Sequence, residues 1–423
     1  MLYQESFLEK LAIHGGTPVL SAPLPAYRTI CEAEIQAVVE VMRSGCLSGF
    51  YGSWGEQFMG GPVVQQFEAA WTARFGMAHA VSMNSATSGL YAAMGAIGLQ
   101  AGDEVIVPPY TMSATALAPL VYGGIPVFAD IEPDTFCLDP EAVRAALSPR
   151  TRAILAVNLF GHPARLSELR GIADQHNLYL IEDNAQAPLA VEAGRLAGTV
   201  GHIGVFSLNY HKHIHTGEGG VCVTDDASLA RKLQMIRNHG ENVVEPTGMT
   251  DITNMIGFNY RMTEMSAAIG LEQLKKIDWH VEHRERLAKR LVAGLNDLDG
   301  LTPPQTRMGC RHVYYVLGFR YNEALLGLSR ADFSRALSAE GFPHFVGYVR
   351  PLYMLPVFQQ RIAFGKHPFD LTDREYPKGL CPVAERMHEQ EFLGFENCMY
   401  TPDETQIDLL IEAVRKVHRL IIK

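Results

Sequence analysis

Cysteine pairs are missing from this 423-residue chain: Cys31, Cys46, Cys137, Cys222, Cys310, Cys381 and Cys398 are scattered, odd in number and never spaced C-x-x-C. A disulfide framework and a zinc ribbon are set aside on that ground, and a reducing compartment fits. Long apolar runs are missing too; none approaches the roughly 18–20 residues that a membrane helix needs. The opening stretch MLYQESFLEKLAIHGG is interrupted by Glu5, Glu9 and Lys10, so it has no unbroken apolar core of the signal-peptide kind. The third absence is a basic excess. A formal charge of −10 and a pI near 5.9 leave no electrostatic footprint for nucleic acid and give no reason to invoke an anionic membrane surface. A cytoplasmic protein, with neither nucleic acid nor membrane as partner, is expected.

What is there reads as an ordinary globular chain, 47% hydrophobic and 19% charged, long enough for two domains. Residues 1–30 read as an irregular arm. From about residue 64, short apolar runs (HAVSM, EVIVP, IPVFADI, RAILAVNLF, LYLIED, IGVFSL and GGVCVTD) are separated by turn-prone and helical stretches such as 140–148 and 165–176. Leu90, Met94 and Ile97 give one of those helices an apolar face at i, i+4, i+7. Near-continuous apolar strands alternating with helices predict a mostly parallel sheet covered on both faces. A long helical region, about 263–297, leads out of it. Residues 300–423 read as a smaller α+β domain ending in a helix over 405–421, and 348–370 as a long aromatic, proline-rich loop.

Ligand sites in such sheets lie beyond the carboxyl ends of the strands. After HAVSM comes Asn84-Ser85-Ala86-Thr87-Ser88-Gly89, small residues opening a helix whose N-terminus favours an anion; an ordinary N-cap would look the same. After EVIVP comes Tyr110, able to stack on a flat ring or simply to pack under the sheet edge. After LYLIE come Asp183 and Gln186. After IGVFS come Ser207 and the stretch SLNYHKHIHTGEGG, where His211, His213 and His215 alternate around Lys212. Alternating histidines on a strand could bind a metal. An anion cradle, an aromatic, a carboxylate and an amine at one sheet end suit pyridoxal phosphate instead. Its phosphate needs donors, its ring nitrogen an anion, and its aldehyde a lysine.

The motifs NSATSGL, GDEVIVPPYTMSATA, IEDNAQA, FSLNYHKHIHTGEGG, GFNYRMTEMSAAIGLEQL and CPVAERM stand in that order over almost the whole chain. On them the sequence resembles the DegT/DnrJ/StrS family of sugar aminotransferases, within the fold-type I, aspartate-aminotransferase-like pyridoxal phosphate enzymes. The resemblance implies a large cofactor-binding α/β domain over 31–275 and a small α+β domain over 276–423. It makes Lys212 the residue that joins the cofactor and moves the proton, pairs Asp183 with the pyridine nitrogen, and sets Gln186 at the ring hydroxyl. It stacks Tyr110 on the ring, gives the phosphate to Ala86, Thr87 and Ser207, and has Asn259 reach the phosphate of a neighbouring subunit. A homodimer with shared sites follows, and no metal.

The resemblance also implies glutamate or glutamine as amino donor. The acceptor is a keto-sugar, expected to be nucleotide-linked, with a cyclitol ketone such as scyllo-inosose as the alternative. The stretch FYGSWGEQFM at 50–59 and the segment 357–380 are longer than in compact relatives, and both could border the pocket. Tyr51, Trp54, Arg311, Tyr348 and Arg350 are candidate acceptor contacts, with His344, Arg361 and Lys366 as further cations for a diphosphate. A dehydratase of the same fold would carry histidine in place of Lys212, and a non-catalytic sensor would have lost Lys212 or Asp183.

Overall fold

The computed structural model describes residues 10–421. At its centre lies a sheet of β1 (His79–Met83), β2 (Glu104–Val107), β3 (Ile125–Phe128), β4 (Thr151–Val157), β5 (Tyr179–Asp183), β6 (Ile203–Ser207) and β7 (Gly220–Thr224). The order is β1-β7-β6-β5-β4-β2-β3. Neighbours from β3 to β6 pair in parallel, and β7 runs antiparallel to both β6 and β1. Every residue of β2, β3 and β7 is buried. Since successive side chains point to opposite faces, both faces are covered. The fold is therefore the expected fold-type I α/β architecture.

Helices α1 (Glu32–Ser44), α2 (Pro62–Phe75), α3 (Ala86–Ala96), α4 (Ser113–Leu117), α5 (Pro140–Ala146), α6 (Leu166–Gln175) and α7 (Ala227–Arg237) alternate with or flank these strands. Several start where local chemistry dictates. Asp139 accepts from the N–H of Glu141 ahead of Pro140, and Asp226 accepts from Ser228 and Leu229, so each caps donors the first turn leaves free. The long helical region consists of two helices, α8 (Glu264–Lys275) and α9 (Ile277–Leu295). They part at Lys276, whose ammonium turns away to Glu34 and the Thr29 carbonyl.

A second, antiparallel sheet has the order β8 (Leu301–Thr302), β9 (Leu317–Tyr321), β11 (Phe392–Phe395), β10 (Phe345–Val346). With α10 (Arg330–Ala339) and α11 (Glu404–Ile421) it encloses its own core. Leu11, Leu20 and Leu24 join that core, and the buried Glu340 carboxylate accepts from the N–H groups of Ala12 and Val19. Helix α9 ties the two cores together: Ile277 and Val281 belong to the first, Leu287, Leu291 and Leu295 to the second.

Chain order and packing part company beyond Ile277 and Val281 as well. Leu352, Tyr353, Phe358, Phe369 and Tyr376 are buried in the first core, although the sequence reading gave all of 276–423 to the small domain. Tyr353, Phe358 and Tyr376 surround Phe128 of β3 at 5.5, 5.1 and 5.7 Å between ring centroids, and the N–H of Leu352 donates to the Pro109 carbonyl. The proline-rich loop is thus an aromatic clamp on the sheet edge, carrying short helical turns at Leu352–Met354, Pro356–Gln359 and Phe369–Leu371. Among the described residues no helix is long and apolar enough to cross a membrane.

Candidate active site

The carboxyl ends of β1, β4, β5 and β6 converge. Ser207, the last residue of β6, pairs with Gly220, and Gly220 pairs on its other side with Met83, the last residue of β1. That sets Ser207 abreast of the first turn of α3. The approach is close: a Cβ on Gly220 would stand 2.5 Å from the Ser85 carbonyl carbon and 2.6 Å from the Ala86 nitrogen. Only glycine permits it. Ser85 caps α3 by accepting from the Ser88 N–H, which leaves the N–H groups of Ala86 and Thr87 without intrahelical partners. Two free donors at the positive end of a helix dipole, beside the Ser207 hydroxyl, suit a phosphate.

Asp183 ends β5 and is 5% exposed. The Thr115 hydroxyl donates to Oδ2 at 2.9 Å and the Ala185 N–H to Oδ1 at 3.1 Å. Burial pushes its carboxyl up, against the pull of those two donors and the nearby Lys212 charge. A buried carboxylate with an amine in its field calls for a cationic partner, which a protonated pyridine nitrogen would be. Lys212 is buried, and its ammonium donates to the Tyr315 hydroxyl at 3.1 Å while lying 4.4 Å from that ring's centroid. Burial brings its amine down to about 8. The amine is therefore neutral for part of its time near physiological pH, as a nucleophile and proton carrier must be.

Gln186 bridges two loops: Oε1 accepts from the Phe160 N–H at 2.8 Å, and Nε2 donates to the Tyr348 hydroxyl at 3.2 Å. Phe160 and Tyr348 both have left-handed backbones, at φ +58 and +47. Such conformations cost energy in bulky residues and persist where surroundings enforce them, often at functional sites. Tyr348 thereby comes to the site through a residue of β5's following turn.

Other candidates are placed differently. Tyr110 is 0% exposed, its hydroxyl donating to the Gly347 carbonyl and its ring packed among Phe136, Tyr348 and Phe392. It presents no open face for stacking; the exposed side chain of this turn is Met112. Asn259 is exposed and its carbonyl accepts from Asn84 Nδ2 at 3.3 Å. Arg311 lies in a small sheet strand and pairs with Glu285 at 2.9 Å. Trp54 lies under the Arg231 guanidinium at 4.1 Å, and Tyr51 is exposed. Residues 208–216 form turns rather than a strand, and their histidines diverge: His213 bonds to the Val313 carbonyl and His215 to the Gly217 N–H. Among the described residues no group of three His, Cys, Asp or Glu side chains could hold a metal. Sequence reasoning missed Thr115 and Tyr315, which touch Asp183 and Lys212 from 68 and 103 residues away; nothing in their spacing announces them.

An amine and a carboxylate at adjacent strand ends, with an anion cradle beside them, define a pyridoxal phosphate enzyme. The chain belongs to the DegT/DnrJ/EryC1/StrS aminotransferase family, which it matches over residues 28–392. It is 34% identical to the L-glutamine:2-deoxy-scyllo-inosose aminotransferase of Streptomyces kanamyceticus, covering 98% of each chain. It is 36% identical to the GDP-perosamine synthase of Caulobacter vibrioides, over 70% of this chain and 79% of that one. The crystal structure of DesI in the presence of its TDP-sugar product superposes with a TM-score of 0.78 at 30% identity, over 97% of each chain. The protein is a pyridoxal-phosphate-dependent aminotransferase.

Proposed function

We propose that this enzyme moves an amino group from glutamine or glutamate to the ketone of a polyhydroxylated ring, with a keto-cyclitol of the scyllo-inosose kind as first acceptor. The observation that carries this order is the commitment of three of the five candidate cations. Arg311 is paired with Glu285, Arg361 donates to the Phe369 and Thr372 carbonyls, and His344 sits between Ser334 and the Phe342 carbonyl. A diphosphate needs cations free to meet it; a cyclitol needs hydroxyl partners only. Both acceptors fall within the sequence expectation, and it is their order that changes. A nucleotide-linked keto-sugar stays as second reading because Arg350, two residues past Tyr348, and Lys366 are exposed and their side chains make no hydrogen bond or ion pair among the described residues.

When bound, pyridoxal phosphate supplies an electrophilic carbon and an electron-withdrawing ring that acidifies the hydrogen beside the amino group. The chain's own residues do the rest. Asp183, held by Thr115 and Ala185, would keep the proton on the pyridine nitrogen. Lys212 Nζ, neutral for part of its time and aimed by Tyr315, would carry a proton away from the donor carbon and return one to the acceptor carbon. Ala86, Thr87 and Ser207 would anchor the phosphate, and Gln186 would meet the ring hydroxyl.

The active unit is a cytoplasmic homodimer in which Asn259 serves the partner's phosphate. In support, the Asn259 side chain makes no hydrogen bond among the described residues although its backbone is fixed beside Asn84. Asn238 pairs with Asn259 and also donates to the Tyr51 and Phe58 carbonyls. The 50–59 segment is thereby anchored to the same edge, and Tyr51 goes wherever Asn259 goes.

A spectral half-reaction tests the acceptor: convert the enzyme to its amine form with glutamine, add candidate ketones, and follow the absorbance between roughly 330 and 430 nm, where the two cofactor forms absorb. Oxidised cofactor should return with scyllo-inosose-type ketones. Return with nucleotide-sugars alone would reverse the order, and Arg350→Ala would then raise KM more than it lowers kcat, since a diphosphate is held alike in ground and transition states.

A further inference from the structure

Arg284, on α9, is 3% exposed. Its guanidinium donates through Nη2 to the Cys398 carbonyl at 3.2 Å and lies 4.1 Å from the Tyr27 ring centroid. Nε and Nη1 have no acceptor, so at least three of its five N–H bonds are unmatched. No carboxylate forms an ion pair with it among the described residues; Glu404, whose charge reaches neighbouring His283, is taken by Arg286 and Arg290. A guanidinium does not shed its proton when buried, and a buried charge without a counter-charge is strongly disfavoured.

The unmatched groups share one place. Arg284 lines a cavity of about 40 Å³ together with Tyr27, Arg28, His280, His283 and Thr401. His280 Nε2, His283 Nε2 and the Thr401 hydroxyl also lack hydrogen-bond partners. Arg28, at the rim, is exposed and forms no ion pair among the described residues. The walls thus offer two cations and several donors, and no anion. The volume admits roughly two or three waters or one small ion; it cannot take an amino acid or a sugar.

We propose that this cavity binds a monovalent anion of chloride size, gripped by the Arg284 guanidinium, the Thr401 hydroxyl and an N–H of the neutral His280 ring. Water could satisfy the donors, but only an anion offsets the charge. The site also has a route to the chemistry. Arg284 holds the Cys398 carbonyl, the Cys398 N–H donates to the Tyr315 carbonyl at 3.0 Å, and the Tyr315 hydroxyl receives Lys212. The Arg284 charge is felt at Lys212, His211 and His213, in each case lowering the group's affinity for a proton behind the larger effect of burial. An anion beside Arg284 would weaken that push.

The test is thermal unfolding of the holoenzyme in sodium chloride against sodium gluconate at fixed ionic strength, since gluconate is too large for the cavity. Chloride should raise Tm in proportion to the logarithm of its concentration above the dissociation constant, by about 3 °C at a hundred times that constant, and broaden the chloride-35 resonance in a way bromide competes away. Arg284→Met should abolish both effects. Coincident wild-type curves in the two salts, with no broadening, would overturn the proposal and leave a cavity holding water only. A chloride effect surviving in Arg284→Met would overturn it equally. If Arg284→Met does not fold, Thr401→Val decides: an affinity for chloride weakened about fivefold supports the site, and an unchanged affinity refutes it.

Discussion

The two halves of the candidate site are built on different principles. On the cofactor side, Asp183 ends β5, Lys212 lies in the turn after β6, and both are buried and are fixed by Thr115 and Tyr315. On the acceptor side, Tyr51 is 62% exposed, Arg350 is exposed, and both stand on segments outside the central sheet. The first half is held by contacts within the chain. In the second, Tyr51 and Arg350 have no side-chain hydrogen bond or ion pair among the described residues. A rigid sheet edge can serve one chemistry in many enzymes while the surrounding segments choose the substrate.

That contrast should appear most sharply in Lys212→Ala. Turnover should fall by several orders of magnitude, roughly 10⁴-fold or more, because covalent and proton-carrying roles vanish together. Borohydride should fix the cofactor of the wild-type enzyme on the peptide containing Lys212; fixation on another lysine would break the assignment. Mixed with Asn259→Ala subunits, the same variant should regain about a quarter of wild-type activity, since half of randomly formed dimers carry one intact site. No recovery, with mixed dimers shown to form, would refute a shared site.

Asp183→Asn comes next. It keeps the size and the Thr115 contact but removes the charge, so cofactor should stay bound while transamination drops about 100-fold, or close to 3 kcal/mol of transition-state stabilisation. A near-normal rate would reduce Asp183 to a turn residue, and the rigid half would lose one of its two anchors.

How much of this was legible in the sequence follows the same division. The apolar strand runs gave the parallel sheet, and the rule that ligands gather past strand ends led to Asp183, Lys212 and the α3 turn. Each lies within a few residues of a strand that a local pattern identifies. Tyr110 satisfied the same rule, yet its turn folds inward and hands the exposed position to Met112. Thr115 and Tyr315 were illegible because tertiary packing alone brings them in. The partners of two candidate cations were illegible for the same reason: Arg311 finds Glu285 across 26 residues, and Arg361 caps carbonyls within its own clamp. The long helical region read over 263–297 contains a break at Lys276, whose partner Glu34 lies far away in sequence.

Tyr315→Phe has the smallest expected effect and probes how firmly the rigid half is tuned. Lys212 stands at about 8, brought down chiefly by burial. The Tyr315 hydroxyl accepts a hydrogen bond from the ammonium and so favours the charged form. Removing it disfavours that form further, and the amine should titrate lower still, by roughly half a unit to one unit for a bond of ordinary strength. Cofactor uptake by the apoenzyme reports this directly, because only the neutral amine reacts. Its rate should rise with pH through a midpoint near 8 in the wild type, and through a lower one in Tyr315→Phe. At pH 7 the variant would then take up cofactor faster, while above pH 9 the two should converge. Stability has its own sign. Below about pH 8 Lys212 is charged in folded and unfolded chains alike and its burial is a cost. Between 8 and its ordinary value near 10.5 only the unfolded chain keeps the proton, so this group's contribution becomes more favourable as pH rises. A midpoint that moves upward in Tyr315→Phe would mean that the phenol donates to a neutral amine in the working enzyme rather than receiving from a charged one.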